Sequence, residues 1–284
     1  MRIEDSWIDG LLDRALAEDL GREGDITSKA IFPDSPRATA VIKSKDAGVV
    51  SGIYLLNPLF RKIDPRVVLA PAVEDGAPLE KGTQICTLDG PITAILAGER
   101  IALNFLQHLS GIASAASRLQ ALIAHTPARL LDTRKTTPGL RMLEKKAVAD
   151  GGGTNHRIGL YDMILIKDTH VTAAGGVGPA LDRVRSYLGA TTQIKVEVEV
   201  RDEEELCQAI AKSPDRIMLD NMDVTTMRRC VELVRASNPG IELEASGGIS
   251  EKSIVAVAQT GVDFISCGWI THSAPALDIH LLIQ

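Results

Sequence analysis

From residue 129 onward the chain repeats one theme: a short apolar run, a polar or glycine-rich link, and a helix-forming stretch. Strand-like runs stand at ARLLDT, MILIKD, IKVEVEV, RIMLDN, IELEAS and FISCG, with helical segments predicted at 176–188, 202–212, 223–236 and 251–259. This alternation constrains the fold more than any other feature. Successive βα units build a parallel sheet with helices on its faces. Only six strands are plain, too few for an eight-unit barrel, so the expected architecture is an irregular, reduced α/β barrel. Aromatic residues make up only 3% of the chain, so the core must be aliphatic, which suits parallel strands buried under helices.

The preceding part reads differently. Residues 6–20 carry Trp7, Leu11, Leu12, Ala15 and Leu16 at helical spacing, with Gly21 as a stop, and GREGDITSKAIFP reads as loop. Between about 37 and 95, the runs ATAVIKSK, AGVVSGI, VVLAPAV and TQICTL alternate with Gly, Pro and Asp turns. The run ERIALNFLQHLSGIASAASRLQALI is a long helix leading into the second part. The division expected is an N-terminal, mainly β (α+β) domain over 1–110, with 273–284 a candidate addition to it, and an α/β-barrel domain over 111–272.

Composition narrows function by exclusion. A formal net charge of -6 over 284 residues opposes general affinity for nucleic acid or anionic membrane. The four cysteines, Cys86, Cys207, Cys230 and Cys267, form no CxxC pair, which suits neither structural zinc nor a disulfide framework and points to a reducing compartment. The start of the chain is acidic and amphipathic, and no run approaches the ~18 apolar residues of a membrane span. A soluble cytoplasmic protein is expected.

Charges fall at the strand ends. Arg134 and Lys135 follow LLDT, Lys167 and Asp168 follow MILI, Glu199 stands in VEVEV, and Asp220 follows RIML. In α/β barrels the carboxyl ends of the strands form the active face, so these side chains should share one mouth. Ser246, Gly247 and Gly248 follow the fifth strand and Cys267 and Gly268 the sixth, each before an expected helix. Glycines admit a phosphate close to the backbone, and helix-start amides donate to it. A Gly-Gly turn alone is equally well a tight strand-to-helix link; its late position in a barrel favours phosphate.

The stretch RKTTPGLRMLEKKAVADGGGTNHRIGLYDMILIKDTH concentrates Arg134, Lys135, Arg141, Lys145, Lys146, His156, Arg157, Lys167 and His170. So many cations in an acidic protein call for an anionic ligand. Within it Lys145 and Lys146 read as a solvated helix face, and Gly151–Gly153 as a turn of unusual freedom. His108, His125, His272 and His280 carry no predicted role. His156 and His170 lie fourteen apart with no cysteine nearby, a spacing that gives little support for a transition-metal site. Cations, two carboxylates and a phosphate-type loop suit a ribosyl pyrophosphate, whose reacting carbon becomes oxocarbenium-like as pyrophosphate leaves. Glu199 and Asp220 could hold the ribose hydroxyls or Mg2+ and favour that charge.

The segment DTRKTTPGLRMLEKKAVADGGGTNHRIGLYDMILIKDTH strongly resembles the central signature of quinolinate phosphoribosyltransferases, the carboxylating nicotinate-nucleotide pyrophosphorylases. GERIALNFLQHLSGIAS before it and KVEVEV, IMLDNM, LEASGGI and THSAPALDIHLLI after it resemble the same family, in the same order, from about residue 18 to the end. The resemblance implies transfer of phosphoribosyl from phosphoribosyl pyrophosphate to quinolinate with Mg2+, giving nicotinate mononucleotide, pyrophosphate and CO2 in NAD synthesis. It implies quinolinate binding by Thr133, Arg134, His156, Arg157, Lys167 and His170, with Arg100 reaching in from the second subunit of a homodimer or larger homo-oligomer. It places Lys135, Glu199 and Asp220 as catalytic and phosphoribosyl pyrophosphate-binding residues, with Ser246, Gly247, Gly248, Cys267, Gly268 and Trp269 as phosphate loops. Thr169 stands where the family often has Asn, and Trp269 where smaller residues are common, so its bulk could narrow the phosphate pocket. Alternation along VEVEV should put Glu197 and Glu199 on one face, with Glu199 as the site residue.

Three rivals differ in testable ways. A relative of the same fold with another acceptor would have no use for the full TRK, NHR and KDTH set. A Schiff-base lyase using Lys167 would be trapped by borohydride with substrate. A sugar-phosphate-binding regulatory module would keep the phosphate loops with little need for both carboxylates.

Overall fold

The computed structural model describes residues 3–189 and 193–284. By internal contacts the chain divides into two compact units, Met1–Ser117 with Met142–Gly152 and Ala274–Gln284, and Arg118–Arg141 with Gly153–Ser273. The segments 111–117 and 142–152 fall in the first unit and Ser273 in the second, where the sequence expectation placed 111–272 in one domain and 273–284 with the other.

The first unit is built on an antiparallel sheet of β1 (Arg37–Ser44), β3 (Val68–Pro71), β5 (Gln84–Pro91) and β12 (Ile279–Ile283), ordered β12-β1-β5-β3. The short strands β2 (Gly48–Val49) and β4 (Pro78–Leu79) pair separately. Alternation along β1 sets Ala40 and Ile42 between Leu88 and Cys86 of β5 and Ile283 and Leu281 of β12. Ile42, Ile85 and Leu88 are fully buried. Helices cover more of this unit than its β-rich sequence suggests. Leu56–Ile63 is helical, burying Leu59 and Phe60, and the expected loop after Gly21 contains a helix at Ile26–Ile31, whose N-cap Asp25 accepts from the Ser28 amide. The helix Ile92–Leu122 runs 31 residues and buries Leu106, Leu109, Ile112 and Ala116 completely.

The Gly151–Gly153 run has a packing reason. A Cβ at Gly151 would stand 2.2 Å from the Ala113 carbonyl oxygen, while Gly152 takes a left-handed φ of +82°. The preceding helix, Arg141–Asp150, corrects the reading of its lysines as solvated: Lys145 is fully buried, and Lys146 pairs with Asp150 at 2.8 Å and stands over the Tyr54 ring.

The second unit holds β6 (Arg129–Leu131), β7 (Ile164–Ile166), β8 (Val196–Val200), β9 (Arg216–Asp220), β10 (Glu242–Ser246) and β11 (Phe264–Ser266) in one parallel sheet, ordered β6-β11-β10-β9-β8-β7. The first strand pairs with the last and the rest follow in sequence. That is the cyclic order of a barrel opened between β6 and β7, as an irregular, reduced α/β barrel requires. The gap is partly bridged by Thr154, which pairs in parallel with Leu131. Helices Glu203–Lys212 and Val224–Ser237 follow β8 and β9, each capped by an aspartate, Asp202 or Asp223, that accepts from backbone amides of the first turn.

Alternation decides what this sheet carries on each face. Val198, Val200, Ile217, Leu219, Leu243 and Ala245 are fully buried. The residues between them, Glu199, Met218, Asp220, Glu244 and Ser246, line a cavity on the other face.

Candidate active site

The cavity has a volume of about 560 Å³ and is lined wholly from the second unit. Every strand but β6 contributes a side chain from its inner face, and the segments 133–135 after β6 and 156–157 close the remaining side.

Two distant segments meet on that side. Thr154 donates its amide to the Leu130 carbonyl, and its own carbonyl accepts from the Asp132 amide, so 154–157 runs beside β6 like a fragment of strand. Asp132 fixes the register. Fully buried, it accepts from the His156 amide at 2.8 Å through Oδ1 and from the Asn155 side chain at 2.6 Å through Oδ2. Arg134 and Arg157 thereby enter the same cavity. Burial holds the Arg157 guanidinium below its usual pKa, and neighbouring Arg134 pushes the same way. The buried Arg134 Nε has no hydrogen-bond partner among the described residues. Two such cations, one with an unused buried donor, form a receptor for a planar anion. Arg141 instead braces the two loops against each other, with Nε bonded to Thr136 Oγ1 at 3.0 Å and Nη1 to the Ile158 carbonyl at 3.1 Å.

Lys167 and Asp168 continue the cavity from β7, and the Asp168 amide donates to Glu199 Oε2 at 3.1 Å. Asp220 ends β9 beside Ser246 of β10. Burial, then the negative neighbours Asp220 and Asp168, raise the pKa of Glu199 against the pull of Lys167. Mutually repelling oxygen donors on adjacent strands fit a hard divalent cation.

The turn after β10 can be made only by glycine. Gly247 has φ +94°, and a Cβ there would stand 2.2 Å from Asn221 Oδ1; Gly248 has φ +61° with open space in front of it. Asn221, itself at φ 53°, donates its amide to the Ser246 carbonyl. The helix after this turn starts only at Ile254, which corrects the expectation of helix-start amides; anion donors here are the amides of the glycine turn itself.

Of the residues singled out from sequence, Thr133, Arg134, Lys135, His156, Arg157, Lys167, Glu199, Asp220, Ser246, Gly247 and Gly248 line this cavity. Others do not. His170 Nδ1 accepts from the Lys167 amide at 2.9 Å, so His170 shapes the turn after β7. Cys267 is buried, and Trp269 packs under the Arg118 guanidinium, so its bulk does not narrow this cavity. Gly268 acts indirectly: a Cβ there would crowd the Lys135 side chain at 3.0 Å. Exposed Thr169 is likewise absent from the lining. Arg100 is exposed on helix Ile92–Leu122 of the first unit.

The sequence reading missed Glu244 and Asn221 in the cavity wall, together with the charge beneath it. Glu197 and Glu244 are both fully buried, with His156 Nε2 3.1 Å from Glu197 Oε2 and 3.3 Å from Glu244 Oε2, and Arg216 Nη1 3.2 Å from Glu244. Burial and the nearby Glu244 push the Glu197 carboxyl up to about 7. Glu244 stays low because His156 and Arg216 outweigh its burial. Burial would lower the His156 imidazole, while the two carboxylates pull it upward. Glu197 and Glu199 share a face as expected; only Glu199 reaches the cavity.

A family profile described as "Quinolinate phosphoribosyl transferase, C-terminal domain" matches residues 112–282, and its N-terminal counterpart matches 25–110. The chain is 43% identical over 271 residues to a "Probable nicotinate-nucleotide pyrophosphorylase [carboxylating]" of Bacillus subtilis, covering 95% of this chain and 91% of that protein. It is 42% identical over 291 residues to "Quinolinate phosphoribosyltransferase [decarboxylating] 2a, mitochondrial" of Nicotiana tabacum, covering 97% and 82%. Among solved structures, the nicotinate-nucleotide pyrophosphorylase from Francisella tularensis superposes with a TM-score of 0.93 at 38% identity, covering 100% of this chain and 98% of that one.

Proposed function

The chain belongs to the quinolinate phosphoribosyl transferase family, and from that premise we propose that its cavity joins quinolinate to phosphoribosyl pyrophosphate with loss of CO2, giving nicotinate mononucleotide and pyrophosphate for NAD synthesis. The observation that carries this is the segregation of charge within one cavity: Arg134, Arg157 and Lys167 on the β6–β7 side, Glu199 and Asp220 on β8 and β9, and the glycine turn on β10.

The cationic side receives the pyridine dicarboxylate. Arg134 and Arg157 each offer a planar fork to a carboxylate, Lys167 adds a point charge, and Thr133 borders them. The glycine turn and Lys135 hold phosphate, whose charge the amides of Gly247 and Gly248 can meet without a side chain in the way. The ribose carbon then lies between the two, beside Glu199 and Asp220, where carboxylates favour the positive charge that develops as pyrophosphate leaves. The ring nitrogen attacks that carbon, the C–N bond forms as the C–O bond to pyrophosphate breaks, and the ring becomes cationic. The C–CO2 bond can then break, its electron pair stabilised by that ring charge, and the ring carbon takes up a proton from solvent as CO2 leaves. The protein supplies orientation and electrostatics. Mg2+ fits the paired carboxylates Glu199 and Asp220 and, held mainly by the substrate, would neutralise pyrophosphate charge.

The active unit in this reading is a homodimer or larger homo-oligomer in which Arg100 completes a partner's site, as the resemblance of GERIALN implies. The four cysteines are free, in keeping with a cytoplasmic enzyme, and no helix among the described residues is long and apolar enough to cross a membrane. Purified protein given quinolinate, phosphoribosyl pyrophosphate and Mg2+ is expected to release CO2 and nicotinate mononucleotide, while nicotinic acid yields no product. Reaction with nicotinic acid or another acceptor in place of quinolinate would overturn the dicarboxylate assignment.

A further inference from the structure

The buried acid pair of Glu197, behind the cavity, and Glu244, in its wall, is costly to bury and has no part in the chemistry above. Burying ionised carboxylates costs several kcal/mol each unless partners compensate. Glu197 on β8 and Glu244 on β10 are both fully buried and converge on one imidazole nitrogen, while Arg216 on β9, itself bound to Glu242 at 2.9 Å, meets Glu244 from the side.

The other nitrogen of that imidazole is also taken. His156 Nδ1 accepts the Arg157 amide at 2.7 Å, while the His156 amide is held by Asp132. Both nitrogens thus face protein groups, although the ring borders the cavity. An Nδ1 that accepts a fixed main-chain N–H must keep its lone pair, so the ring proton belongs on Nε2, toward the acids. This geometry opposes a second proton on the ring despite the upward pull of the acids, because that proton would displace the Arg157 amide. Three ligand atoms from His156, Glu197 and Glu244 lie within 4.8 Å of one another, as a metal site would require. With its proton on Nε2, however, the ring has no lone pair to offer a metal there, and Glu244 already meets Arg216.

We infer that Glu197 and Glu244 are positioning residues: through His156 they fix the main chain of Arg157 and so aim its guanidinium into the cavity, with His156 a strut rather than a ligand of quinolinate. The inference rests on the reading of Arg157 as a carboxylate-binding residue. It adds a polar anchor of Arg157 from below to the Asp132 anchor from β6. Among the described residues the guanidinium itself is steadied by one bond, from Nη1 to the Met163 carbonyl at 3.1 Å, so its aim depends on the backbone that carries it.

The test compares Glu197→Met, which removes the polar contact with His156 but fills the space, with Glu197→Gln, which keeps a polar oxygen there, in the full-length enzyme. Glu197→Met is expected to raise KM for quinolinate about tenfold, the loss of one buried charged contact 3.1 Å from His156 Nε2, with KM for phosphoribosyl pyrophosphate and kcat at saturation nearly unchanged. Glu197→Gln should restore most of the loss. In the unmutated protein, 15N NMR of labelled histidine should show His156 protonated on Nε2 and bare on Nδ1, assigned by the signal lost in His156→Asn. A folded Glu197→Met enzyme with wild-type KM for quinolinate, or an Nδ1-protonated His156, would overturn the inference. Arg157→Ala separates the two levels. If it leaves KM for quinolinate unchanged, the substrate assignment itself fails; if it raises KM while Glu197→Met does not, only the positioning role falls.

Discussion

Gly247→Ala isolates the phosphate side of the cavity from the pyridine side. At φ +94° the backbone is one an L side chain rarely adopts, and a left-handed conformation costs an alanine about 1–2 kcal/mol. The new Cβ would also stand 2.2 Å from Asn221 Oδ1 and 2.9 Å from the Asn221 backbone nitrogen. Overpacking of this kind typically costs about 1–3 kcal/mol. The Asn221 amide is bonded to Ser246, so its backbone cannot withdraw freely, and the turn must move instead. A loss of ~1.4 kcal/mol in phosphate binding is tenfold. Steady-state kinetics with each substrate varied in turn should therefore show KM for phosphoribosyl pyrophosphate raised about tenfold or more. KM for quinolinate should change little, because Arg134 and Arg157 belong to other segments. Gly247→Ala combined with Asn221→Gly removes the side-chain clash but not the backbone penalty, and should recover part of the affinity. A Gly247→Ala enzyme with unchanged KM for phosphoribosyl pyrophosphate would refute the assignment of this turn to phosphate.

Asp132→Ala removes the acceptors of both the His156 amide and the Asn155 side chain. Each orphaned donor costs about 1–3 kcal/mol, so quinolinate KM should rise well above tenfold by initial-rate kinetics, with Asp132→Asn retaining part of the function through its one carbonyl oxygen. Gly151→Ala drives a Cβ to 2.2 Å from the Ala113 carbonyl oxygen, a backbone atom with no flexible end to turn aside. Thermal unfolding followed by circular dichroism should show a lower Tm, by several degrees for the about 1–3 kcal/mol that overpacking costs.

The strand ends were legible because two periodicities coincide there: the alternation that marks a strand, and the rule that barrel chemistry gathers at carboxyl ends. Arg134, Lys167, Glu199 and Asp220 all stand at such ends and all line the cavity. Glu244 escaped because the ELE of β10 reads as one exposed face of a half-buried strand. A barrel strand has no exposed face, so acids alternating with fully buried Leu243 and Ala245 have to point inward, and that signal was in the sequence. Asn221 and Asp132 were opaque for another reason. Each acts through main-chain geometry, the first by its left-handed turn and the second by tying 155–156 to β6, and neither leaves a periodic trace. His170 and Trp269 lie outside the cavity lining, the first bonded to the Lys167 amide in the turn after β7 and the second under Arg118, placements that no sequence pattern revealed. The helix at Ile26–Ile31 was lost in a stretch of Gly, Asp and Pro, although Asp25 three residues before Ser28 is a capping signal.

The interior of the second unit separates two kinds of charge. Deep in the barrel the charges are balanced locally: Glu244 lies against Arg216 and the His156 imidazole, and burial raises the Glu197 carboxyl, leaving little field to attract an ion from solvent. At the mouth they are segregated. Arg134 keeps a buried donor without an acceptor among the described residues, and Glu199 and Asp220 repel each other from adjacent strands. A compensated pair holds a structure in one shape, whereas a segregated set lowers its energy by taking up a ligand of complementary charge. This is how a protein of net charge -6 can hold polyanionic substrates: local arrangement in a confined cavity outweighs the total. The buried acids are glutamates on strands, whereas Arg134 and Arg157 sit on the segments beside them. The sheet bears the compensated charges, and His156 links them to the segment that carries Arg157 into the cavity.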